Sequence, residues 1–136
     1  HQDDAIRSMP LHLIEPLLDR ANIFLLQKEV READQEFLKN NSVIINLETE
    51  LVSFSDTAAV VQCLDLIISV DTSLIHLAGV MGKESYLLLP KIAEWRWLME
   101  RSDTPWYKNI TLIRQNTFGC WNDVIQQLLN ALLKYS

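Results

Sequence analysis

Glycine is scarce in this sequence: the 136 residues include only three, Gly79, Gly82 and Gly119. None lies near the beginning, so the sequence has neither the GxGxxG turn of dinucleotide-binding domains nor the GxxxxGK[ST] loop of nucleotide triphosphatases. In both motifs, glycine lets the backbone approach a phosphate closely. The absence excludes a glycine-rich phosphate loop, so any phosphate site must be built in another way.

Positive charge, cysteine and histidine are also sparse. Twelve Lys and Arg residues against 18 Asp and Glu residues give a formal charge of −6, which argues against a nucleic-acid partner. His1, His12 and His76 are scattered and there is no CxxC pair, so neither a metal site nor a resident cofactor is expected. Cys63 and Cys120 lie among apolar neighbours and are predicted to be buried thiols, with a disulfide between them left open as an alternative.

Long hydrophobic segments are missing as well. No apolar run reaches the roughly 18 residues of a membrane span, and the first residues lack the order of a signal peptide. The composition, 49% apolar and 22% charged, is typical of one globular domain, here residues 1–136. We therefore expect a cytoplasmic protein without a membrane span.

Short, nearly continuous apolar runs begin about 20 residues apart, as buried strands of a parallel sheet do. Helical patterns fill the gaps between them, which predicts an α/β fold with helices on both faces of the sheet. The predicted strands are Ile23–Leu26, Val43–Leu47, Leu66–Val70 and Tyr86–Leu89, with the more polar Ile110–Arg114 at an edge. The predicted helices are Ser8–Arg20, kinked at Pro16, then Val30–Lys39, a third from Ser55 or Asp56 to Leu64, Asp71–Met81 with a stop at Gly82, and Trp121–Lys134.

The segment Leu66–Lys83 carries the best indication of function. A buried strand is followed at once by a helix whose first N–H groups lack partners and bear partial positive charge. A phosphate at Thr72 and Ser73 would accept from those groups and from the Thr72 hydroxyl. His76 lies one helical turn after Thr72 on the same face, where it could add a cationic contact.

Each of these residues also has an ordinary structural interpretation. Asp71 and Thr72 suit helix capping, and His76 could be a hydrogen-bonded core histidine. Elsewhere, Arg7 could reach an anion or be solvated, while Gln27 and Lys28 follow the first strand on the side where ligands bind or form a polar loop. The aromatic residues of the long 90–109 connection could stack on a sugar or base but fit core packing as well: Trp95, Trp97, Trp106 and Tyr107.

Taken together, these motifs resemble a known family. Asp56–Ala59, Leu64–Lys83, Leu87–Pro90, Trp95–Trp97 and Pro105–Tyr107 are similar to the C-terminal domain of glycosyltransferase family 9-like proteins, relatives of the heptosyltransferases. The resemblance is greatest to bacterial proteins in which this domain follows tetratricopeptide repeats. It implies the Rossmann-like C-terminal half of a GT-B glycosyltransferase, which binds a nucleotide-diphosphate sugar.

The resemblance also implies roles for individual residues. Asp71, Thr72, Ser73 and His76 would line the donor diphosphate, and Arg7 would fall where heptosyltransferases place a basic phosphate contact. Gln27 and Lys28 remain possible nucleotide contacts. No catalytic residue is assigned, because the resemblance places the base in an N-terminal domain. Ser73 stands where heptosyltransferases often have glycine.

One expected element is missing from the beginning of the chain. The sequence opens with the polar His1–Asp4 and a predicted helix, whereas such domains open with a central strand. We interpret the chain as a piece of a longer protein. Without that strand the sheet would keep an empty position, rearrange, or pair with another chain as a homodimer or by strand exchange. The functional alternatives are a donor-binding domain that is inactive in isolation and a non-catalytic interaction module with the same half fold.

Overall fold

The computed structural model describes residues 9–26, 31–47, 49–70, 73–91, 107–117 and 119–135. These residues form an α/β fold in which strands and helices alternate from the first strand to the fourth. The strands are β1 (Phe24–Leu25), β2 (Ile45–Asn46), β3 (Ile67–Ser69), β4 (Ser85–Leu89) and β5 (Ile110–Arg114). The α-helices are α1 (Glu32–Asn40), α2 (Phe54–Cys63), α3 (Ser73–Val80) and α4 (Asn122–Ala131), with 3₁₀ helices at Leu11–Leu17 and Leu132–Tyr135.

Within the described residues the strands form two separate parallel sheets. One contains β1 and β2, and the other has the order β3-β4-β5. All three strand pairs are parallel, as the spacing of the apolar runs predicts. In the larger sheet β4 is central and wholly buried, and β5 is an edge strand as predicted.

Helices cover both faces of the larger sheet because alternate strand residues point to opposite sides. On one face, Tyr86 and Leu88 of β4 pack with Val124 and Leu128 of α4 and with Leu17 of the first 3₁₀ helix. On the other face, the intervening β4 residues, Leu87 and Leu89, pack with Ile75 of α3. The predicted arrangement of helices on both faces is therefore confirmed for this sheet.

The first predicted helix differs from the expectation. The structure has a 3₁₀ helix, Leu11–Leu17, which contains Pro16, in place of a kinked α-helix over Ser8–Arg20. Proline cannot donate the backbone hydrogen bond that an α-helix needs at an interior position. The segment is instead held by α1, because the carboxylate of Asp34 accepts from Leu11 N–H at 3.1 Å.

The cap of α2 lies earlier in the chain than predicted. Ser53 caps the helix, since its hydroxyl accepts from Asp56 N–H and the Asp56 carboxylate accepts from Ser53 N–H. Neither Ser55 nor Asp56 is the cap: Ser55 lies inside the helix and Asp56 is the third helical residue of this reciprocal capping box. Ser53 is recognisable as the cap only when it is paired with Asp56, its capping-box partner three positions later.

The cysteines correct another prediction. Cys63 is exposed and Cys120 is half-buried, and both are free thiols. The buried residue at this end of α2 is Val61, and two residues further along a helix is about 200° around the axis. Cys63 therefore faces away from the core despite its apolar neighbours. No helix in the described part of the chain is long and apolar enough to cross a membrane.

Candidate functional site

The N-terminal end of α3 lies at the carboxyl end of β3. The strand ends at Ser69 and the helix begins at Ser73, so the two elements are joined by a very short connection. The first N–H groups of such a helix have no partner within it and carry partial positive charge. Ser73 is exposed. The anion site predicted at this end of α3 remains a prediction.

His76 lies within the first turn of α3 and is half-buried. Its imidazole contacts the phenol ring of Tyr107, with ring centroids 6.0 Å apart and an interplanar angle of 65°. The Tyr107 hydroxyl lies 3.5 Å from His76 Nδ1, which is at the long limit of a hydrogen bond. One edge of the imidazole is thus held by an aromatic neighbour from the segment before β5.

Glycine in α3 is what lets Tyr107 approach. A β-carbon on Gly79 would come within 2.6 Å of Tyr107 Cγ, closer than real β-carbons approach other atoms. The same segment is tied to the end of α3 by Asn109, whose side-chain amide donates to the carbonyl oxygens of Ala78 and Lys83. Tyr107 and Asn109 together fix the loop before β5 against the helix that carries His76.

The end of α3 is built as predicted. Gly82 has a φ of 74°, a left-handed conformation that glycine adopts without steric cost. Lys83 N–H donates to the Ala78 carbonyl and Gly82 N–H to that of Gly79, which closes the last turn. The helix therefore ends at a fixed position, one turn beyond the residues that contact Tyr107.

Gln115 is a buried polar residue at the same edge of the sheet, directly after β5. Its side-chain Oε1 accepts from the backbone N–H groups of Lys91 and Gly119, both at 3.1 Å, and so joins the chain after β4 to the turn after β5. Its Nε2 is buried and has no hydrogen-bond partner among the described residues. Burial also lowers the pKa of the neighbouring Arg114. Gln115 is not among the residues predicted from the sequence, although its position directly after a strand could have indicated it.

Two of the seven predicted site residues lie in the described part of the chain. Ser73 and His76 are both on α3, in its first turn, and His76 is brought to Tyr107. Five others lie outside the described residues: Arg7, Gln27, Lys28, Asp71 and Thr72. Of the four aromatic residues singled out in the 90–109 connection, Tyr107 is described and is half-buried, which fits its packing against Ile75 and the sheet.

A cavity of about 410 Å³ lies at the opposite edge of the larger sheet. It is lined by Gln62 in the last turn of α2, by Asp65 after that helix, and by the residues from Met81 to Glu84, which precede β4. It is therefore near the amino ends of the strands, away from the N-terminus of α3. No group of histidine, cysteine or acidic residues in the described part of the chain could hold a metal ion.

Comparison with known proteins gives one weak similarity. The chain is 24% identical over 136 residues to Protein FlbA of Caulobacter vibrioides, a match that covers 93% of this chain and 22% of FlbA. The chain thus spans about a fifth of the length of that relative. No family model and no solved structure matches the sequence.

Proposed function

We propose that this chain is the donor-binding domain of a cytoplasmic glycosyltransferase that uses a nucleotide-diphosphate sugar. In this proposal its α/β fold is the Rossmann-like C-terminal half of a GT-B enzyme, within a longer protein that also carries tetratricopeptide repeats. The observation that carries the proposal is the N-terminus of α3 at the carboxyl end of β3. Open α/β sheets bind their ligands at this edge, and a helix N-terminus favours phosphate.

The proposed diphosphate-binding site combines backbone and side-chain groups. The first N–H groups of α3 donate hydrogen bonds to one phosphate, and the hydroxyl groups of Thr72 and Ser73 add donors. His76, half-buried and held at one edge by Tyr107, supplies positive charge when protonated. These groups would stabilise the charge that develops on the departing nucleoside diphosphate. Asp71 and Arg7 complete the site, with Gln27 and Lys28 toward the nucleotide.

In this proposal the catalytic base and the acceptor site belong to an N-terminal domain. The chain alone is then expected to bind nucleotide weakly and to turn over no substrate. The binding energy of the donor and the chemistry of transfer are separable, because the first depends on the α3 end and the second on a group outside this domain. A binding assay is therefore the direct test.

Isothermal calorimetry of the folded chain with ADP, UDP and GDP and their sugar conjugates tests the proposal. We expect one nucleotide class to bind, and His76→Ala to weaken binding about tenfold or more, since a hydrogen bond to a charged group contributes roughly 1.5–3 kcal/mol. His12→Ala is the matched control, because His12 is an exposed histidine on the first 3₁₀ helix. It should leave the affinity unchanged. Absence of heat with every nucleotide would contradict the proposal.

A second variant distinguishes, in the cell, a donor-binding function from that of a non-catalytic interaction module. Thr72→Ala combined with His76→Ala removes two proposed diphosphate contacts. If the folded double variant loses cellular function, the donor site is required. If function is unchanged, the non-catalytic interaction module becomes the better interpretation.

A further inference from the structure

The side chain of Tyr107 spans one turn of α3. The root of its ring lies at Gly79, where a β-carbon would come within 2.6 Å of Tyr107 Cγ. Its hydroxyl, at the other end of the ring, lies 3.5 Å from His76 Nδ1. Three residues of an α-helix correspond to about 4.5 Å along its axis. The long axis of the phenol therefore runs along α3, from Gly79 back toward the N-terminal end of the helix.

The position of the Tyr107 ring is fixed by contacts that do not involve its hydroxyl. The ring packs against the hydrophobic cluster that contains Ile75. The Tyr107 carbonyl oxygen accepts from Ile110 N–H at 3.4 Å, at the beginning of β5. The Asn109 amide donates to the Ala78 carbonyl oxygen, also at 3.4 Å. A phenylalanine at position 107 would keep these contacts, so the hydroxyl can be removed without removing its support.

The two nitrogens of His76 have different surroundings, because Nδ1 is the one that faces the phenol hydroxyl. A neutral imidazole has one donor and one acceptor nitrogen, and the hydrogen bond at one nitrogen decides which of them carries the proton. A phenol is a stronger donor than a neutral imidazole N–H, because the charge left on its oxygen is delocalised into the ring. The hydroxyl of Tyr107 therefore donates to Nδ1, and the proton of the neutral His76 ring is on Nε2.

The 3.5 Å separation is long for a hydrogen bond. Hydrogen bonds between the side chains of a functional site are often long until a ligand binds and shorten in the complex. The edge-to-face arrangement of the two rings, with centroids 6.0 Å apart, already aims the hydroxyl end of Tyr107 at the imidazole. A small shift of either ring is enough to bring the two atoms to an ordinary hydrogen-bond distance.

We propose that Tyr107 is a positioning residue for His76, which holds the imidazole so that Nε2 carries the proton of the neutral ring and is the nitrogen that meets the diphosphate. This inference rests on the donor site proposed above and names the ring nitrogen that serves it. An Nε2–H group donates in both protonation states of the ring, whereas the other tautomer would turn an acceptor toward an anion. When the ring is protonated, Nδ1–H donates to the phenol oxygen instead. Tyr107 thus acts through His76 and does not itself contact the donor.

Nitrogen-15 NMR of the imidazole tests where the proton lies. Spectra are recorded while the pH is raised until the His76 signals no longer change, so that the ring is neutral, and His76→Ala identifies those signals. We expect a single tautomer with an unprotonated Nδ1 and a protonated Nε2. Tyr107→Phe should move both nitrogen shifts toward the averaged values of a free histidine. Tyr86→Phe, the same change on the opposite face of the larger sheet, should leave them unchanged.

A proton on Nδ1 of the unsubstituted protein would overturn the proposal. Nitrogen shifts of His76 that are the same in Tyr107→Phe and in the unsubstituted protein would also overturn it, provided that circular dichroism shows the variant to be folded.

Calorimetry with ADP, UDP and GDP tests whether the hydroxyl acts through His76. Tyr107→Phe should weaken binding about threefold to tenfold, as the loss of a neutral hydrogen bond does, and should have no effect in a His76→Ala background. Equal effects in the two backgrounds would contradict a role through His76. If no nucleotide binds, the proposed donor site fails, whereas the NMR result still confirms or overturns the tautomer that Tyr107 sets. The two failures are therefore distinguishable.

Discussion

The ring of Tyr107 lies against Gly79, so close that a β-carbon at residue 79 would be 2.6 Å from Cγ and 2.7 Å from Cδ1 of the ring. This contact couples the loop before β5 to the helix that carries His76. Gly79 is a buried residue of α3, and a glycine inside a helix ordinarily weakens it. Its presence is explained by the space that Tyr107 requires.

Gly79→Ala is therefore expected to destabilise the protein, by about 1–3 kcal/mol, because the added methyl group overpacks the contact with Tyr107. Urea unfolding monitored by circular dichroism measures the change. In a Tyr107→Ala background the clash is absent, and the same substitution should be neutral or stabilising by about 0.5–1 kcal/mol through helix propensity. A stabilised single variant would contradict the proposed contact.

Ser53→Ala should cost about 1 kcal/mol of unfolding free energy, because it removes the acceptor for Asp56 N–H at the start of α2. Ser55→Ala is a matched control. Ser55 lies two residues after Ser53, inside the helix, and is exposed. Its effect is expected to remain within about 0.5 kcal/mol. Equal losses from the two variants would show that Ser53 is not the cap. Thermal unfolding of the two variants in parallel gives the comparison.

Asp34→Ala should destabilise the protein by about 1–3 kcal/mol, since a buried hydrogen-bond network loses its acceptor. Asp34 is 5% exposed and accepts from Leu11 N–H and from the Arg31 guanidinium. The substitution leaves Leu11 N–H without this partner and releases the first 3₁₀ helix from α1. Proteolysis at that 3₁₀ helix should become faster. Glu36→Ala, at an exposed position of the same helix, should alter neither stability nor cleavage.

Gln115→Leu tests the link between the segments that follow β4 and β5. The variant removes the acceptor shared by Lys91 N–H and Gly119 N–H, and we expect a loss of about 2 kcal/mol. Hydrogen exchange at these two amides should accelerate more than exchange inside β4. Gln126→Leu, an exposed position on α4, is the control for the same chemical change. Unchanged exchange at Lys91 and Gly119 would argue against the role of Gln115.

The sequence alone indicated the class and order of the elements, because apolar runs and helical periodicity are local properties. It placed β5 at Ile110–Arg114, the residues at which the structure has it, and predicted the stop of α3 at Gly82, which is visible in the dihedral angle that only glycine adopts easily. Within the predicted helix Trp121–Lys134, the structure buries Val124, Ile125 and Leu128. Other elements are less well predicted: each of the three strands before β4 is shorter in the structure than the apolar run that predicts it.

Only the tertiary structure decided which side chains meet. The pairing of His76 with Tyr107, 31 positions apart, and of Asp34 with Leu11, 23 positions apart, depends on how loops and helices pack, and no local pattern encodes either. The division into two sheets was likewise decided in three dimensions. A sequence fixes which residues favour extended backbone, but a strand obtains its hydrogen bonds from a neighbour that lies elsewhere in the chain.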